Sequence, residues 1–388
     1  MRLVRWEEGV VDEIVEENGG LQILTVAIDS ADTHKVRAIL YTGFFPPVKP
    51  GDVVVLNATA RVLGLGTGGY DFVCAPKKMQ PHSDEGEPSV PGDAFAKSTK
   101  GHMMKLRYTP LQMSVLAAEE PDSPYHKLFN ENRDLEQAPV LIGELHSMLP
   151  AAVAWLRYMF ETSVSGDKPN SMPNIVYVMS DGGALPITFS KHVQRLRRTG
   201  WLSGTVTYGH AYGGDVEVMN KFSALIAARH ILNAHIIIVT MGPGMAGTGT
   251  RWGHTGLETG EIVNAVSTLN GIPIVMPRIS FADHRERHYG LSHHVVTAMD
   301  AVAMRSAIIP LPQRIDEKYR TILNEQVQSI VNKHDLVWMD EPSEHAVLAS
   351  HQLYGGLLTT MGRTLSDDPA FFLAVAAAAQ AAWYRIKK

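Results

Sequence analysis

From about residue 139 the chain repeats one unit: a short apolar run, a polar loop, then a segment of helical period. That alternation constrains the fold more than any other feature. Strands separated by whole helices cannot pair as tight hairpins. They pair in parallel, and right-handed crossovers place the helices on both faces of the sheet. The apolar runs fall at 140–143, 175–179, 205–208, 235–240, 272–276, 307–310 and 336–339. HIIIVT at 235–240 lacks polar alternation and reads as a strand covered on both faces.

Helices are expected near 148–160, 187–198, 216–232, 256–269, from 292, and at 317–332. Phe189, Val193 and Leu196 mark one apolar stripe, and Val218, Phe222, Leu225 and Ile226 mark another. Ser147 and Asp215 stand at N-cap positions, Thr255 and Glu258 have capping-box spacing, and Gly200 stands at C′. The expected fold is α/β, a Rossmann-like doubly wound, mostly parallel sheet over residues 136–388. Two further helical segments follow at 344–360 and 369–384. The second, AFFLAVAAAAQAAWY, is apolar nearly all round. Such a helix is buried in its own domain or packed on a second subunit, so a homo-oligomer, a dimer, is one expectation.

Residues 1–75 carry a different pattern. Short strand-like runs at 10–15, 21–28, 35–40 and 53–56 are punctuated by Asn18-Gly19-Gly20, Pro46-Pro47 and Pro50-Gly51-Asp52. A small all-β, barrel-like domain is predicted, because closure removes the edges of short strands. Gly64, Gly66, Gly68 and Gly69 mark its last turn. Residues 76–135 read as linker and irregular chain, with 111–118 either a strand or a short helix.

Composition excludes several classes. With 45% hydrophobic residues in 388, both cores can be filled. There are 35 Lys and Arg against 40 Asp and Glu, a net charge of −5, so no global basic footprint for nucleic acid exists. No apolar run approaches the ~20 residues of a membrane span. The start, MRLVRWEEGV, has no signal-peptide core, and a cytoplasmic location is expected. The single cysteine, Cys74, excludes a disulfide framework and a Cys-rich zinc site, and reads as a structural thiol. The basic run Lys191, Arg195, Arg197 and Arg198 complements a helix C-terminus.

Ligands of open α/β sheets bind beyond the carboxyl ends of the strands. The loops expected there are long and rich in Gly, His and charge. In MGPGMAGTGTRWGH (241–254), Gly242, Gly244 and Gly247 match a dinucleotide-binding string. No helix opens inside the motif and no acidic residue closes the next strand, so the fingerprint is incomplete. Its backbone N–H groups, with Gly249, Arg251 and His254, remain candidates for cradling an anion. ADHRERHYGLSHH (282–294) adds Arg285 and Arg287 for the same anion. No metal site is assigned. His284, His288 and Asp283 are the residues that would form one if that segment were helical. His293 and His294 begin the next helix, where one of them would cap or face solvent. For acid–base work the candidates are His210 and His288, oriented by Asp181, Asp215 or Asp283, with His146 also at the sheet edge. No G-x-S-x-G elbow is present for a serine hydrolase.

The motifs LGLGTGGYDFV (63–73), VTMGPGMAGTGTRWGHTGLE (239–258) and PRISFADHRERHYGLSHH (277–294) resemble a bacterial family catalogued as domain of unknown function 3866. The resemblance implies a bacterial cytosolic protein and carries over no catalytic residue. In architecture the chain is also similar to component B of the glycine, sarcosine and betaine reductases. That chemistry depends on a cysteine-derived pyruvoyl group and selenocysteine, and Cys74 sits in no matching motif.

The expected function is binding of, or action on, a small anionic metabolite, phosphorylated ones included, at the carboxyl edge of the sheet. A non-enzymatic homo-oligomeric scaffold or regulator is the alternative, and a metal-dependent hydrolase a further one. No cofactor is assigned.

Overall fold

The computed structural model describes residues 4–28, 34–64, 68–78, 101–109, 111–163, 171–356 and 358–386. The chain forms two compact units: residues 1–100 with 108–111, and 101–107 with 112–388. Gly66, and residues 79–100 and 110 of the segment expected as linker, lie outside the described residues.

In the first unit, β1 (Trp6–Asn18), β2 (Leu21–Ala27), β3 (Lys35–Tyr41), β4 (Val53–Asn57) and β5 (Asp71–Lys78) close into a barrel in the order β1-β2-β3-β5-β4. The long β1 bends through two bulges and so pairs with both β2 and β4. Alternate residues such as Val11, Leu24, Val26, Ala38, Leu40, Val54 and Leu56 point inward and fill it. A short helix, Thr59–Val62, interrupts the expected all-β run, because one turn carries no helical period to read. Cys74 is half-buried, and burial pushes its thiol up to about 11, so it stays protonated.

The second unit opens with the antiparallel pair β6 (Met103–Lys105) and β7 (Met113–Val115), which makes part of 111–118 a strand. The strands β8 (Pro139–Gly143), β9 (Ile175–Ser180), β10 (Gly204–Tyr208), β11 (Val216–Val218), β12 (Ile236–Met241) and β13 (Ile272–Val275) follow. After the small ladder of β14 (Ile279–Ser280) and β15 (Gly290–Leu291) come β16 (Ile308–Pro312) and β17 (Asp335–Met339). The sheet order is β11-β10-β9-β12-β8-β13-β16-β17, parallel at every pairing. Helices Met148–Thr162, Lys191–Arg198, Glu344–Tyr354 and Pro369–Ile386 pack on one face. Helices Lys221–Ile226, Glu258–Thr268, His293–Thr297 and Glu317–Gln326 contribute to the other. The architecture is therefore the doubly wound, Rossmann-like sheet with an N-terminal barrel. No described helix is long and apolar enough to cross a membrane.

Local expectations failed where a side chain found a better partner than a cap. Residues 216–218 join the sheet edge as β11, and the helix begins at Lys221 behind Asn220, whose side chain accepts from Phe222 and Ser223 N–H. Asp215 instead accepts from the backbone N–H and hydroxyl of Thr205 and pairs with Arg197. Thr255 and Glu258 form no capping box, because a 3-10 turn over Thr255–Leu257 precedes the helix and Thr255 donates to the Ala246 carbonyl. Ser147 occupies its N-cap position without a capping hydrogen bond. Gly200 does follow its helix with φ +69°, as a C′ residue should.

Candidate functional site

The chain leaves β8 and β9 toward one face and β12 and β13 toward the other. Since β12 sits between β9 and β8, neighbouring loops part at its carboxyl end. A crevice opens where the winding reverses, the usual ligand position in such sheets. Here it is a cavity of about 410 Å³. Leu145, His146 and Ser147 line it from the loop after β8, and Gly242, Gly244, Met245, Gly247 and Gly249 from the loop after β12. Arg278, Arg285, Arg287 and His288 close it from the segment after β13, with His294 and Met361 beside them.

The cationic wall is only partly neutralised. Arg278 is buried and donates to Glu144 Oε1 at 3.3 Å and Asp283 Oδ2 at 3.4 Å. Arg285 donates to both oxygens of Asp283, at 2.9 and 2.7 Å. These bonds to Arg285 hold the Asp283 carboxyl well below the usual carboxylate range. Burial would raise the Glu144 carboxyl, but its hydrogen bond to His294 and the Arg278 charge outweigh burial and lower it. Arg287 is exposed and has no carboxylate partner among the described residues. It faces the glycine loop, where a Cβ on Gly249 would sit 3.6 Å from its guanidinium carbon. Gly249 has φ +78°, a conformation that side chains resist, so the loop can approach Arg287 only with glycine there.

Histidines form the inner wall. His254 and His294 stack with ring centroids 3.8 Å apart, and His293 lies 4.3 Å from His294. His294 Nδ1 donates to Glu144 Oε2 at 3.1 Å, and His254 Nε2 to the Arg251 carbonyl at 3.1 Å. His288 meets Ser292 Oγ through Nδ1 at 2.9 Å. Burial, then neighbouring positive charge, lowers His288 to about 3 and His293 to about 4. His146, between Ser190 Oγ at 2.6 Å and the Tyr177 hydroxyl at 3.3 Å, is lowered by burial to about 3. All three imidazoles are neutral at pH 7.

A family model described as "Protein of unknown function (DUF3866)" matches residues 37–379, well over half of the chain. The chain belongs to that family. No curated protein matches this DUF3866 chain.

In the DUF3866 chain Gly242, Gly244, Gly247, Gly249, Arg285, Arg287 and His288 share the cavity. His254 stands one ring behind its wall. Arg251 points elsewhere, pairing with Asp300 at 3.2 Å and lying over the Trp252 ring. Asp283 is the anchor of Arg278 and Arg285. His210 accepts from the Leu106 N–H through Nδ1, and neither it nor Asp181 lines the cavity. Asp215 lies at the opposite, amino end, because Val216 pairs in register with Val206. His284 is exposed and outside the only described His cluster able to hold a metal, since residues 286–288 form a 3-10 turn rather than a continuous helix face. Sequence reasoning missed Glu144 and Arg278 as site residues. Both follow a central strand, Glu144 directly after β8 and Arg278 shortly after β13, and a charged residue there was the available signal.

Proposed function

We propose that this chain binds a small anionic metabolite, one bearing a phosphate or carboxylate, in the carboxyl-edge cavity. The observation that carries the reading is Arg287, a cation without a carboxylate partner among the described residues, held against a glycine loop. Bare glycine backbone lets an anion approach N–H donors and the guanidinium together. Arg278 and Arg285 add positive potential, while their bonds to Asp283 keep them in place. Enclosure on three sides lowers the local dielectric and strengthens each charge contact. His288, neutral and lining the cavity, offers a bound ligand a hydrogen-bonding nitrogen rather than a charge.

The test is thermal stability against inorganic phosphate, sugar phosphates and small carboxylates. A ligand at 100 times its Kd adds about 2.7 kcal/mol, which raises the midpoint by several degrees. Arg287→Ala should remove that shift while leaving the unliganded stability within about 0.5 kcal/mol of wild type. An equal shift in the variant would sink the role of Arg287.

A further inference from the structure

We propose that His254, His293 and His294 form a site for one divalent cation of the zinc class, open on one side to the carboxyl-edge cavity. One ring nitrogen from each of these residues lies within 4.8 Å of one from each of the others. Two imidazole nitrogens on a tetrahedral zinc ion stand roughly 3.3 Å apart and bind through lone pairs in the ring plane, so His254 turns out of its stack on His294 to close the set.

Hydrogen bonding decides which nitrogens are available. The Glu144 carboxylate can only accept, so His294 Nδ1 carries the proton and Nε2 keeps its lone pair. The Arg251 carbonyl also only accepts, so His254 is protonated at Nε2 and bare at Nδ1. That Nδ1 and His293 Nε2 are buried and find no hydrogen-bond partner among the described residues. Buried polar atoms are nearly always satisfied, and a cluster serving packing alone would not hold two of them bare beside a third imidazole. A cation satisfies all of them at once. Glu144 then plays the part that carboxylates commonly play behind metal-bound histidine, setting the tautomer and raising the basicity of the ligand.

The donor set specifies the ion. Three neutral nitrogens without carboxylate oxygens suit zinc and its neighbours in the transition series, and disfavour magnesium and calcium. Of the three, His294 lines the cavity, so an ion held there is approached from the space that Arg278 and Arg287 also line. Three protein ligands with an open fourth position is the arrangement of catalytic rather than structural zinc. The inference stands on the histidines alone and does not rest on anion binding.

The experiment uses the full chain, stripped by chelator, desalted and titrated with zinc or cobalt(II) alone. Wild type should retain about one ion per chain through gel filtration, and cobalt(II) should give the intense visible absorption of a four-coordinate nitrogen site. His293→Ala, only half-buried and so the mildest change, should weaken binding roughly 100-fold or more, and Glu144→Gln about 10–100-fold. His284→Ala, an exposed histidine outside the cluster, should bind as wild type does. Circular dichroism checks that each variant is folded. Failure of wild type to retain either ion, a six-coordinate cobalt spectrum, or equal retention in folded His293→Ala would overturn the proposal. The cobalt spectrum reads the site without any substitution, and no anion is present in either titration.

Discussion

A carboxylate buried as deeply as that of Glu144 stays ionised only because Arg278 and His294 both bind it. Its surroundings leave no slack: a Cβ on Gly256 would meet Glu144 Oε2 at 2.6 Å and His254 Nδ1 at 3.1 Å. Glu144→Ala should therefore destabilise by about 1–3 kcal/mol in urea unfolding, since the buried Arg278 guanidinium loses one of its two carboxylate partners and keeps only Asp283. A second residue-scale consequence concerns pH. His146 is lowered from 6.5 to about 3, so the folded state prefers the neutral ring. A group lowered on folding contributes stability that is full above its unfolded pKa and lost as pH falls toward the folded value. Stability should decline from about pH 6.5 downward, by up to about 1.4 kcal/mol per pH unit for one such proton. A His146→Gln variant should show a flatter profile between pH 6 and 4; an unchanged slope would exclude His146 as a source. Arg287 and the glycines were legible in the sequence because their chemistry is local. Glu144 and Arg278 were not, because what makes them site residues is a buried bridge between loops 134 positions apart.

At the scale of elements, the apolar run 370–384 posed a choice between self-burial and a subunit contact. The helix Pro369–Ile386 is buried from Ala370 to Trp383 within its own unit, packed with Met148–Thr162 and the sheet. Its strong all-round hydrophobicity is thus buried inside the fold from Ala370 to Trp383. Leu373→Ala should cost about 2–5 kcal/mol, as a fully buried truncation does, with the same sedimentation behaviour as wild type. A change in assembly state would show that the helix reaches a partner after all. Caps give a sharper contrast. Asn220→Ala should lose about 1 kcal/mol, because Asn220 caps the helix that the sequence assigned to Asp215. Element types were legible because strands and helices differ in period. Their starts were not, because Asp215, Thr255 and Asn220 are all good caps and tertiary partners chose among them.

For the whole molecule, the alternation of apolar runs and helices determined the parallel sheet, its two helical faces and the carboxyl edge as the place to search. The short alternating runs before residue 76 likewise determined a barrel. These properties follow from periodicity and connection length, which any reader of the chain can measure. What only the tertiary structure decided is which loops meet. Insertion of β12 between β9 and β8 brings the glycine loop against residues 145–147, and the position of β13 beside β8 adds the arginines. The same order sends Asp215 to the far edge and leaves His210 outside the cavity, although both precede or follow strands as promising residues do. Strand order is set by the sum of weak side-chain contacts over buried faces rich in Val, Ile and Leu, so no single residue announces it. Convergence of His254 with the adjacent pair His293 and His294 is of the same kind: each is an ordinary loop or helix-start histidine in the chain, and only the packed fold brings His254 beside the pair.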